Sequence, residues 1–121
     1  MLQSRENDAG SVRTRTLEQI RGQSLAVSVS SHDINEGARN NAYWCPVALA
    51  IRRAAHIDDS ITVAVRCDGI DLFPREQMQC LTPHRPYISA ITPDAVARFV
   101  AKFDRGVEVD PFQFTLEWEA E

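Results

Sequence analysis

A proline directly after a cysteine, Cys45-Pro46, precedes the run Val47-Ala48-Leu49-Ala50-Ile51-Arg52-Arg53-Ala54-Ala55, and this pair fixes where a helix can begin. Pro46 has no N–H to leave unbonded and a φ already near the helical value, so it belongs in the first turn, with Cys45 at or next to the N-cap. Trp44, Ala48, Ile51 and Ala55 then recur at spacings of four, three and four, which is one apolar face of a helix. A thiol in this place feels the positive end of the helix dipole, which lowers its pKa, whereas burial raises it. Burial is expected to win, because free cysteine commonly acts as a small apolar filler.

The rest of the chain divides by its apolar periods. Residues 24–31 alternate Leu25, Val27 and Val29 with Ala26, Ser28 and Ser30, the period of a half-buried strand. Asp33 and Glu36 resemble a capping box for a short helical turn that Gly37 stops. A strand over 61–67 follows, with Ile61, Val63, Val65 and Cys67 on one face. Asp68-Gly69 has the composition of a type I′ turn, so 70–73 should pair back on it. Residues 74–86 hold Pro74, Pro83 and Pro86 and read as irregular, and 87–91 reads as another short strand.

Thr92-Pro93-Asp94 offers a hydroxyl N-cap, a proline at the first helical position and an acid for the first turn. Val96, Phe99, Val100 and Phe103 continue that helix on one face, and Gly106 is its natural end. Phe112, Phe114, Leu116 and Trp118 alternate with Gln113, Thr115, Glu117 and Glu119, a strand with one aromatic buried face and one wet face.

Residues 1–22 are polar, with only Leu17 and Ile20 as spaced apolar groups, and read as an N-terminal arm outside the core. Residues 23–121 read as a single α+β domain. The order β-α-β-β-α-β predicts a two-layer sandwich: a mainly antiparallel sheet of four to five strands with two helices on one face, as in ferredoxin-like folds. Such a fold assigns no function.

At 121 residues and 44% hydrophobic content the chain has the length of one domain with a real core. Its 13 basic and 17 acidic residues give a net charge of −4, which argues against generic nucleic-acid binding by phosphate neutralisation. Cys45, Cys67 and Cys80 are odd in number and form no Cys-x-x-Cys, so a secreted disulfide scaffold is not expected and a cytoplasmic protein is. No apolar run has the length of a membrane span or a signal core.

Two stretches carry a likeness to a known group. Cys45-Pro46-Val47-Ala48-Leu49-Ala50-Ile51, together with Thr92-Pro93-Asp94, Phe99-Val100, Phe103-Asp104-Arg105-Gly106 and Pro111-Phe112-Gln113-Phe114, resembles a family of small uncharacterised proteins of actinobacteria and their phages. The likeness covers about half the chain and supplies no catalytic residue, since the matching positions read as caps, turns and core. It implies a phage or mobile-element accessory protein, acting in the host cytoplasm if phage-encoded.

The scattered His32, His56, His84 and cysteines lack the spacing of a metal site, and no phosphate-binding or nucleophile-elbow motif is present. Eleven or so residues of helix separate His56 from Cys45, too far for a base, leaving His32 or His84 as partners for a Cys45 nucleophile. An anion site is the more credible chemistry: the first amides of the Cys-Pro helix with Arg39, joined by Arg53, His84 and Arg85. The tandem Arg52-Arg53 lies further along and is expected to point outward. Arg98, Lys102 and Arg105 recur on the second helix opposite its apolar stripe and read as a solvated face.

The function expected is therefore a non-enzymatic binding or interaction protein without a cofactor or metal, whose partner is a small anionic, nucleotide-like ligand or a host protein. A cysteine-dependent enzyme using Cys45 and a structural homo-oligomer subunit are the alternatives.

Overall fold

The computed structural model describes residues 14–75 and 88–120. Its elements run α1 (Leu17–Ile20), β1 (Ser24–Val29), α2 (Ser31–Glu36), α3 (Pro46–Ala55), β2 (Ile61–Arg66), β3 (Gly69–Pro74), β4 (Ile88–Ala90), α4 (Asp94–Asp104) and β5 (Phe112–Glu117). The class is α+β, as the order of periods predicts.

The strands form two antiparallel sheets rather than the single sheet expected, β1–β5 and the meander β2–β3–β4. Among the described residues, a main-chain hydrogen bond joins them just past β5, where the Glu119 N–H donates to Ser89 O at 2.9 Å. In the first sheet Leu25, Val27 and Val29 lie opposite Leu116, Phe114 and Phe112, so the apolar halves of both periods share one face. In the second, Val63 and Val65 lie opposite Leu72 and Ile70.

The hairpin between β2 and β3 turns at Cys67-Asp68, one residue earlier than the Asp68-Gly69 turn expected, with Arg66 opposite Gly69. No residue of this turn has a positive φ, so it is not type I′. Packing sets the register: the observed pairing sets Val63 against Leu72, whereas the sequence-favoured turn would set Val63 against Pro74.

Helix α3 packs across β1 and β2 and thereby ties the two sheets together. It buries Val47, Ala48, Ala50, Ile51 and Ala55. Trp44, expected on that face, instead lies 48% exposed with the Arg52 guanidinium 5.2 Å from its ring. Gly37 fits the close approach of α2 to α3, since a Cβ there would fall 2.5 Å from the ring of Pro46. Helix α4 closes the same face of β5 through Phe99, whose ring centroid is 4.7 Å from that of Phe112. Phe112 and Phe114 are half-buried at the margin, while Phe99 and Phe103 are buried.

Two helix starts differ from expectation. Helix α2 is capped one turn earlier, by Ser30 with Asp33 in reciprocal bonds. Helix α4 has Pro93 at its N-cap, and the Thr92 hydroxyl donates to Arg66 O at 2.6 Å instead of capping the helix. The arm also needs correction: Leu17 and Ile20 are buried in the core cluster, and Arg15 N–H donates to His56 O at 2.8 Å. A capping box of Thr16 and Gln19 secures this turn. Among the described residues no helix is long and apolar enough to cross a membrane.

Candidate functional site

The loop from Arg39 to Trp44 lies between the start of α3, the end of β2 and the end of α4; two bonds within it shape it and two to its neighbours pin it there. The Asn41 Oδ1 accepts from the Tyr43 and Trp44 amides at 3.0 and 3.1 Å. The Ala42 carbonyl accepts from Val65 N–H at 2.9 Å. Asn40 holds a left-handed φ of 53°, which asparagine tolerates better than most residues, and its N–H donates to Asp104 Oδ1 at 2.8 Å.

Under this loop is a cavity of about 320 Å³. Cys45, Val65, Ala97 and Val100 give it apolar walls, and Asn40, Asn41, Arg66, Thr92 and Asp104 supply its polar groups. Cys45 is 2% exposed. Burial pushes its thiol up, the amides of Ala48 and Val47 oppose this, and the Asp104 charge adds to the upward shift. The thiol is therefore a neutral wall group near pH 7. No histidine among the described residues lines the cavity, so the described site sets no imidazole beside the thiol.

Among the described residues of the expected anion set, Arg39 and Arg53 do not gather at the helix start with Cys45. Arg53 forms a bidentate pair with Asp33, Nη1 to Oδ1 at 2.7 Å and Nη2 to Oδ2 at 2.8 Å, and also donates to Ser28 O at 2.8 Å. Its guanidinium, on a side chain 53% exposed, is thus spent on an ion pair rather than on the helix start, whereas the Arg52 side chain, also expected to point outward, is 13% exposed and donates to Ile61 O and Asp58 O. Arg39 has its guanidinium carbon 6.0 Å from the Phe103 ring centroid and next to Gly106, whose φ of 80° turns the chain after α4. It lines a separate surface groove with Asn35, Val107 and Asp110. Of the three described members of the set, Cys45 sits on the cavity and Arg39 and Arg53 do not; His84 and Arg85 lie outside the described residues. Arg66 reaches the cavity but is held by ion pairs to Asp71 and Asp68.

Asp104, Asn40 and Asn41 emerge only from the structure. The signals in the sequence are a repeated asparagine, suited to a left-handed loop, and an acid at the end of an amphipathic helix. Each reads by itself as turn chemistry. The two meet only because α4 ends beside the loop that begins α3.

Set against protein-family models, curated proteins and solved structures, the chain matches none.

Proposed function

We propose that this chain is a non-enzymatic binding protein that holds a small molecule in the cavity beneath the 39–44 loop. The observation that carries the reading is the cavity itself, a concavity of about 320 Å³ with mainly apolar walls and a few convergent polar groups. A thiol kept protonated by burial, with no histidine among the described lining residues and the Asp104 charge disfavouring the thiolate, supports binding over nucleophilic chemistry. The anionic ligand suggested by the sequence loses support, since Arg53 and Arg39 are engaged elsewhere. A phage or mobile-element role rests on the sequence resemblance alone.

The test is native mass spectrometry of the protein recovered from its own cells. The reading predicts a non-covalent small-molecule adduct that survives Cys45→Ala and is lost in Ala101→Trp, which fills the cavity from α4. An adduct that is covalent and lost with Cys45→Ala would instead establish thiol chemistry.

A further inference from the structure

The geometry points to a small organic cation, an apolar body bearing a protonated amine, as the class of ligand the cavity takes, with Asp104 as its counter-charge; this rests on the binding reading above. Asp104 lines the cavity in the last turn of α4. Carbonyl groups end the helix there, and the negative end of its dipole adds to the carboxylate. Oδ1 accepts the Asn40 N–H, and among the described residues Asp104 enters no ion pair.

The cations nearest in sequence or on the cavity do not neutralise it. Arg66 is held by Asp71 and Asp68, Arg39 stacks by Phe103, and Lys102 and Arg105 are exposed without an ion pair to Asp104. The other polar groups are neutral or already committed. The Thr92 hydroxyl gives its proton to Arg66 O, and Asn41 Oδ1 serves two backbone amides. A carboxylate facing a mostly apolar hollow, with no described cation paired to it, is a strong selector of charge, because attraction rises as water is displaced. An anion would meet Asp104 with no uncommitted cation on the described wall to offset it.

The experiment titrates the intact chain with benzylamine, its neutral analogue benzyl alcohol and the anion benzoate, following the amide signals of Asn40, Asn41, Val65 and Ala101 by NMR. The expected result is benzylamine binding at least about tenfold more tightly than benzyl alcohol. Benzoate should bind most weakly, and Asp104→Asn should bring benzylamine to the level of the alcohol. Asn at 104 retains an oxygen for the Asn40 amide, and the three-probe ranking in the unaltered chain tests the inference without any variant. Equal binding of all three would overturn the cation class while leaving the cavity as a binding site. Tightest binding of benzoate would overturn it in favour of an anion. Binding by none, or shifts confined to other residues, would overturn both the inference and the cavity reading.

Discussion

Asp33 and Asp104 are both acids on helices that flank the Cys-Pro helix, yet their surroundings are opposite. Asp33 is 1% exposed, and both its oxygens are used: by Arg53 through two bonds and by the Ser30 amide. Asp104 is half-buried beside a cavity and has one backbone N–H. A buried charge that is fully partnered holds elements together; a charge left open toward a hollow is available to something else. Asp33 ties α2 to α3 and, through the Arg53 bond to Ser28 O, to β1. Among the described residues Asp104 ties the 39–44 loop alone.

The largest expected effect lies on the partnered side. Arg53→Ala strands the Asp33 carboxylate and should cost about 3 kcal/mol in chemical denaturation, somewhat relieved by water reaching the exposed part of the Arg53 site. A loss below about 0.5 kcal/mol would remove the clamp from the account.

Next comes the small helix before β1. Ile20 is 2% exposed in the core cluster, so Ile20→Ala should cost about 2–4 kcal/mol in the same assay. A neutral change would restore the view of this segment as a dispensable arm.

The acid limb of stability sharpens the comparison. Burial pushes the Asp33 carboxyl up, but the Arg53 bond and the Ser30 amide and hydroxyl outweigh it, and the net shift is downward. A folded pKa below the unfolded value of about 3.9 contributes stability above that value and loses it as pH falls through the depressed folded pKa. Unfolding measured from pH 5 downward should thus show a stability loss in the native chain that is reduced in Asp33→Asn. An unchanged acid limb in Asp33→Asn would contradict the role given to this carboxylate.

The smallest effect belongs to Asp104. Asp104→Asn should alter unfolding by no more than about 0.5 kcal/mol, since it keeps an acceptor for Asn40 and breaks no ion pair.

Most of the architecture was legible because it depends on local periods. The alternation of Leu25, Val27 and Val29, the Cys45-Pro46 start and the stripe Val96, Phe99 and Phe103 each specify an element from a few neighbouring residues. The errors fall where distant packing decides. Thr92 has an acceptor in Arg66 O that the sequence does not reveal, so the helix forgoes its hydroxyl cap. Leu17 and Ile20 look too few to hold a segment, but the core is supplied by strands far along the chain. The site was nearly silent for the same reason. Cys45 was visible because proline marks its place, whereas Asp104 becomes a cavity group only when α4 ends beside Asn40. Arg53 was visible as a cation, but its partner Asp33 stands twenty residues away.

The most direct test is the denaturation midpoint with and without saturating benzylamine, for the unaltered chain and for Asp104→Asn. A ligand that binds only the folded state raises the midpoint. The account predicts a rise in the unaltered chain and a much smaller one in Asp104→Asn, with both proteins unfolding at nearly the same midpoint in its absence. Equal rises in the two, or a large loss of stability in Asp104→Asn without ligand, would show that Asp104 is another structural acid and would contradict the distinction from Asp33.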